Sequence, residues 1–322
     1  MNVLLVHADG KMPPLPLMKV SAFEKKRGNE VFLKKGLSLN LPLECPKPNL
    51  AYISCIFDWN RNQVLNLSDK LQKIGCKVVI GGYGVNDSTL PSEIEHIMPD
   101  YDLYGIDYSI GFTSRGCIRK CPWCIVWRKE GWIRENADLK EFLHRDHKKV
   151  ILLDNNLLAA PNCEKVLIDL IAYGVKVNFN QGLDVRLINE RNARLLSKVR
   201  YYDWKFKARR LHFGFDLPQM ESEVLKGMEI LGKAGIPRSH LMFYVLVGYN
   251  TSYEEDLQRI ELLIKEGVKP YVMPFNDRHD SYYPHLERWV NRPFYEVVPW
   301  EKYNHGNSQK IIRKILSAKD EL

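Results

Sequence analysis

Val150-Ile151-Leu152-Leu153-Asp154-Asn155-Asn156, followed by a helical run from Cys163 to Tyr173 and a second apolar run from Val175 to Phe179, decides the fold. A short apolar run bounded by turn formers reads as a buried strand, and strand, helix, strand in that order build a β-α-β unit with parallel strands. The unit recurs on both sides. Strands are expected at Tyr108 to Phe112, Val150 to Leu153, Val175 to Phe179, Leu211 to Phe215, Leu241 to Val247 and Tyr271 to Met273. Helices are expected at Asn136 to His144, Cys163 to Tyr173, Asn189 to Val199, Glu221 to Ala234 and Ser252 to Glu266. Six such units predict a partial or complete parallel barrel, whose working face lies at the C-terminal ends of its strands.

Upstream, the alternation has a different rhythm. Val3 to Val6, Glu30 to Leu33, Tyr52 to Phe57 and Lys77 to Ile80 read as strands, and Leu17 to Lys26 and Gln63 to Ile74 as helices stopped by Gly28 and Gly75. Leu39 to Asn49 holds three prolines and reads as a loop. Gly81-Gly82 after the last strand permits close backbone approach. The expected class is α/β: a Rossmann-like parallel-sheet domain, a partial (β/α)6 barrel and a C-terminal helical extension. Its expected spans are 1–102, 103–285 and 286–322. A last helix, Ser308 to Ala318, carries Ile311, Ile312, Ile315 and Leu316 on one face.

The 322 residues, 45% hydrophobic and 27% charged, match ordinary globular usage and exclude collagen-like and wholly disordered classes. No apolar run approaches the ~20 residues of a membrane helix. Met1 to Val6 lacks the basic start of a secretory signal. The tail Lys319-Asp320-Glu321-Leu322 therefore reads as a coincidence rather than a retention signal, and a cytoplasmic location is expected. The 47 basic against 39 acidic side chains give +8, which allows an anionic partner, nucleic acid included.

Cys45, Cys55, Cys76 and Cys163 are scattered, but three cysteines share Thr113-Ser114-Arg115-Gly116-Cys117-Ile118-Arg119-Lys120-Cys121-Pro122-Trp123-Cys124. Without a signal sequence, such a cluster points to metal or catalysis, not a disulfide framework. A structural zinc site would want a fourth protein ligand, and Cys163 or His144 reaches the loop only through folding. Cys-x3-Cys-x2-Cys suits a four-iron cluster with one iron open, because thiolates are its protein ligands. The loop also follows the first barrel strand, on the working face.

This segment resembles the signature of the radical S-adenosylmethionine enzymes, and the β-α series over about residues 107 to 285 resembles their partial barrel. The resemblance implies that Cys117, Cys121 and Cys124 each hold one iron of a [4Fe–4S] cluster, with S-adenosylmethionine chelating the fourth. One electron then yields methionine and a 5′-deoxyadenosyl radical that abstracts a substrate hydrogen. Trp123 takes the aromatic position beside cluster and adenine. Asp154, Asn155 and Asn156 end the second strand, where the family keeps polar groups for the methionine amine. Asn178, Asn180 and Gln181 end the third, with Arg186 beyond; Asp216 ends the fourth, near the ribose; and Gly248, in Gly248-Tyr249-Asn250, ends the fifth, where glycine admits the adenosine. Each is equally a turn residue by type.

The first domain resembles, more faintly, the cobalamin-binding domain that often precedes this barrel. Many such domains carry Asp-x-His-x-x-Gly, whose histidine replaces cobalamin's own base; here the first strand leads into His7-Ala8-Asp9-Gly10, in another order and spacing. A scaffold without cobalamin is expected, with cobalamin bound without histidine, for methyl transfer, as the alternative. A third reading is a non-catalytic zinc module docked on nucleic acid. A methylthiolating RNA enzyme would carry three more N-terminal cysteines, and Cys45, Cys55 and Cys76 are too widely spaced for that. Two basic stretches remain. Lys198 to Arg210 mixes cations with Tyr201, Tyr202, Trp204 and Phe206 opposite the cysteine face, and reads as a solvated or docking surface. Arg115 to Arg134 borders that face and would meet an anionic substrate or a reducing partner such as flavodoxin or ferredoxin. His279, Tyr282, Tyr283 and His285 are expected at the substrate mouth.

Overall fold

A computed structural model describes residues 1–38, 40, 45–86, 89–275 and 282–303. The expected helix from Ser308 to Ala318, His279 and the charged tail lie outside the described residues.

The first sheet is parallel, with strands β1 (Asn2–His7), β2 (Glu30–Lys35), β3 (Leu50–Ser54) and β4 (Lys77–Gly81) in the order β2-β1-β3-β4. The run Val3 to Val6 is buried throughout because β1 is central and covered on both faces. Helix α1 (Leu15–Lys26) begins where Pro14 and Pro16 suit a first turn, and it ends at Gly28, whose φ is +76°. Helix α2 (Arg61–Lys73) closes the next unit, and Gly75 follows. At Gly82 the expected close approach is real: a Cβ there would lie 2.1 Å from the Cys55 carbonyl oxygen.

After the short helix α3 (Ser92–Glu95), the barrel starts with β5 (Ser109–Gly111). A small antiparallel hairpin, β6 (Ser114–Arg115) with β7 (Arg134–Glu135), encloses the cysteines and the short helix α4 (Val126–Lys129). Then come β8 (Lys149–Leu152), α5 (Cys163–Tyr173), β9 (Lys176–Phe179), α6 (Glu190–Lys198), β10 (Arg200–Tyr201), β11 (Leu211–Gly214), α7 (Glu221–Lys233), β12 (Leu241–Val247), α8 (Tyr253–Lys265) and β13 (Lys269–Pro274). The strands form two parallel sets, β10-β9-β8-β5 and β11-β12-β13, joined by a bridge between Leu183 and Phe213. This is a partial barrel behind a Rossmann-like sheet. Alternation in β12 shows its walls: Leu241, Phe243, Val245 and Val247 are buried against the helices, while Met242, Tyr244 and Leu246 face the lumen side.

Three expectations need correction. The helix expected from Asn136 to His144 is a loop with one 3-10 turn at Leu139–Glu141. Asp138 and Glu141 cap that turn, and Tyr101 Oη and Ser109 Oγ then bond the Phe142 carbonyl and the His144 amide, which diverts the backbone from an α ladder. Beyond Pro274 the chain forms a further helix, α9 (Tyr282–Asn291), which buries Leu286, Trp289 and Val290 and bonds Val272 at both backbone atoms through Asn291. A boundary at residue 285 falls inside it. Finally, much of the basic stretch from Lys198 to Arg210 is used internally. Phe206, at φ +56°, plugs the barrel floor against Ile110 and Ile151; Arg209 lies 3.9 Å from the Tyr201 ring centre; Arg210 caps the Ser239 carbonyl.

The sheet domain is tied to the barrel. Leu15 and Met18 of α1 pack with Ile110 and Ile151, and Lys19 pairs with Glu95, which also holds Arg115 of the cysteine loop at 3.3 Å. Among the described residues, no helix is long and apolar enough to cross a membrane.

Candidate functional site

The cysteine loop leaves β5 and is fixed at its root by one buried carboxylate. Asp154, just past β8, accepts from the Thr113 and Ser114 amides at 3.1 and 2.6 Å and from both their hydroxyls at 2.6 Å. Burial pushes its carboxyl above the usual range, and these donors act against that rise. Both oxygens are thus occupied by the loop, so Asp154 shapes the site rather than offering a free group to an amine.

Gly116 makes the next step sterically possible. Its φ is +82°, and a Cβ would sit 2.5 Å from the Trp132 carbonyl oxygen. Its amide faces Glu130 Oε2 at 3.3 Å and Asn155 Oδ1 at 3.2 Å, and the Cys117 amide bonds the Gly131 carbonyl. The Cys117 sulfur accepts from the Arg119 amide at 3.3 Å and from Asn156 Nδ2 at 3.4 Å. Cys121 and Cys124 are joined by a turn, and Trp127 Nε1 caps the Cys121 carbonyl at 3.1 Å. All three thiols are half-buried, whereas Cys45, Cys55, Cys76 and Cys163 are buried. Burial raises the Cys121 and Cys124 pKa values; Asp216 and the neighbouring cysteines add to the rise, while Arg186 lowers that of Cys121.

Three half-buried thiols on one loop are a donor set that an iron cluster would accept. A cluster attaches each thiolate to a different iron, so its ligands need not share a point, and N–H donors on sulfur are a usual device for tuning such centres. Cys163 is buried in the core at the first turn of α5, and His144 lies near the barrel floor with Ser109 and His147.

The charges of Arg186 and Asp216 act on Cys121 in opposite senses, the guanidinium lowering its pKa and the carboxylate raising it. Nothing in the sequence singles out Asp184, yet it joins Arg186 to the loop. It accepts Arg186 Nε and Nη2 at 2.6 and 3.0 Å and Arg119 Nε at 3.0 Å. Burial opposes its charge, but the two guanidiniums outweigh burial and hold its carboxyl below the usual range. Among the described residues no side chain makes such a bond to Asp216: burial pushes it up to about 6, with Arg186 and Arg259 pulling the other way. Asn178 is buried and donates to the Tyr202 carbonyl, below the rim; Asn180 is half-buried, and Gln181 is exposed.

Trp123 meets Tyr249 edge-on at 4.9 Å, and Tyr249 meets Phe275 at 4.8 Å, so an aromatic row links the loop to the ends of β12 and β13. Gly248, at φ +77°, is needed for a protein neighbour: a Cβ would meet the Tyr283 ring at 3.1 Å. Its amide and Tyr283 Oη both bond Asp256 Oδ2, while Arg259, paired with Asp256, holds the Phe215 and Leu246 carbonyls. Tyr283 is thus a buried prop rather than part of an open mouth; Tyr282 stacks on Tyr253, and His285 lies on the exposed side of α9.

No protein-family model matches the sequence. No curated protein matches it either. Among solved structures, the apo, selenomethionine-labelled cobalamin-dependent S-adenosylmethionine radical enzyme OxsB matches with a TM-score of 0.56 and 12% identity, over 100% of this chain and 61% of that one. The two share a fold. The chain accounts for under two thirds of the length of that enzyme, and at this identity the likeness speaks to architecture alone.

Proposed function

We propose that the protein is a radical S-adenosylmethionine enzyme whose Cys117, Cys121 and Cys124 hold three irons of a [4Fe–4S] cluster. The observation that carries this reading is the loop itself: Cys-x3-Cys-x2-Cys after the first barrel strand, with two N–H donors already on the Cys117 sulfur. When bound, the reduced cluster supplies the electron that cleaves a carbon–sulfur bond of S-adenosylmethionine. Asn155 and Asn156 hold the loop and its first sulfur. Arg186, steadied by Asp184, supplies positive charge for the cofactor carboxylate, and Asp216 and Asn180 serve its polar groups. Trp123 offers a ring for the adenine beside Gly248. Gln181 is the weakest member, since it lies on the exposed side. An external reductant of the flavodoxin or ferredoxin class is required, and seven unpaired cysteines agree with a reducing, cytoplasmic setting. We propose spans of 1–102 for the sheet domain and 103–291 for the barrel, with the expected boundary at 285 moved to the end of α9.

A cobalamin-dependent version is favoured by the sheet order and by the likeness to OxsB. The residues at the β1–β3 crevice fit it poorly. Asp9 spans that crevice, accepting from the Ile56 and Phe57 amides and Asn60 Nδ2, and the His7 ring is buried against Tyr104. The proposal is therefore a retained scaffold. Anaerobic reconstitution tests both readings. Alanine at Cys117, Cys121 and Cys124 should abolish iron uptake and deoxyadenosine formation, while alanine at Cys45, Cys55, Cys76 and Cys163 should leave iron intact. Iron retained by the triple variant would refute the reading, and corrinoid absorption in the purified chain would restore the cobalamin version.

A further inference from the structure

We propose that the face where the end of the first sheet meets the cysteine loop binds single-stranded nucleic acid, so that a base in such a strand is the substrate class; this rests on the reading above. Just past β3, the Phe57 and Trp59 rings stack with centroids 4.3 Å apart and planes 9° apart, and Trp59 is 70% exposed. Gly82 and Gly84 bring the next loop onto the backbone of Cys55 and Phe57, and that loop carries Tyr83, 45% exposed. Tyr83 Oη bonds Glu130, and Lys129 Nζ lies 6.0 Å from the Tyr83 ring, so the cysteine loop continues the surface.

Between residues 119 and 135 the chain has Arg119, which pairs with Asp184, and Lys120, Arg128, Lys129 and Arg134 against Glu130 and Glu135, with Trp123, Trp127 and Trp132 interleaved. Glu130 is turned inward onto Arg115, Gly116 and Tyr83, so its charge does not offset the rim. Lys120, Arg128 and Arg134 are exposed, as is Trp132. Open aromatic faces beside cations suit unpaired bases and their phosphates. A duplex keeps its base faces stacked on one another, and an acidic protein would use the cations but not the flat rings. The stretch from Lys198 to Arg210 has a similar composition, but Phe206 and Arg209 are consumed by the barrel floor.

The test is fluorescence anisotropy of the reconstituted full chain with labelled single strands of about 12 nucleotides, within the range one such platform covers. Binding to RNA or DNA strands should exceed that to the matching duplex and should weaken steeply between roughly 0.05 and 0.2 M salt. Trp59→Ala should weaken it about tenfold, Trp59→Phe far less, and Arg128→Ala should reduce the log–log salt slope by ~0.7. Iron content should be unchanged in all three variants. Equal duplex binding, indifference to Trp59→Ala, or equal displacement by polyglutamate of matched charge would overturn the proposal. Protein with a full cluster that ignores strands refutes this inference alone; strand binding by protein that takes up no iron refutes the reading beneath it.

Discussion

Replacing Asp154 with asparagine removes one charge and changes no shape, yet it should loosen the whole cysteine loop. The carboxylate accepts four bonds, three at Oδ1 and one at Oδ2. Whichever way the asparagine amide is turned, its NH2 meets the backbone N–H of Thr113 or Ser114. One charge-assisted bond, worth ~1.5–3 kcal/mol, is lost, and a buried donor is stranded at ~1–3 kcal/mol. Since hydroxyls can rotate to compensate, we expect Asp154→Asn to cost about 2–4 kcal/mol, and Ser114→Ala, which removes one hydroxyl donor, about 1 kcal/mol. Urea unfolding monitored by tryptophan fluorescence reads the stability change, and iron per chain after reconstitution reads the loop. Asp154→Asn should lower both. A stability change below ~0.5 kcal/mol, the level of an ordinary surface change, together with full iron content would show that the loop is held by something else.

Two further outcomes follow from buried charge elsewhere. Asp256→Ala strips Arg259 of its counter-charge and the Gly248 amide of its acceptor, and should cost about 3–5 kcal/mol in thermal or urea unfolding; a loss under ~1 kcal/mol contradicts the assignment. His212 is stacked on Tyr244 in the barrel wall, and burial depresses its pKa from 6.5 to about 4, with Arg210 adding to the effect. The unfolded chain binds its proton first, so this contribution is complete above pH 6.5 and is lost as pH falls toward 4, about 3 kcal/mol in all at ~1.36 kcal/mol per unit. His212→Phe should flatten that part of the stability–pH curve; an unchanged acid slope would reject the idea.

Much of the architecture was legible because apolar runs of strand length alternate with helical ones. Leu241 to Val247 and Cys163 to Tyr173 begin and end where the periodicity says. What escaped was set by tertiary partners. The segment from Asn136 to His144 has helix-compatible composition, but Tyr101 and Ser109 capture its backbone. The two-residue strands of the hairpin around the cysteines have no periodicity to detect, and α9 is hidden among aromatic residues whose burial depends on β13. At the site, the cysteine spacing could be read because it is local. Asp184 could not, since only folding brings Arg119 and Arg186 to it. Nor does a glycine name its neighbour: Gly248 is required by Tyr283, thirty-odd positions downstream.

The salt link from Lys19 through Glu95 to Arg115, with the apolar seam under α1, has a practical corollary. Excising residues 1–102 would not leave a self-sufficient barrel. It would unmoor the sulfur-bearing segment from its anchorage and bare greasy surface to solvent, so any minimal fragment must keep α1 and α3.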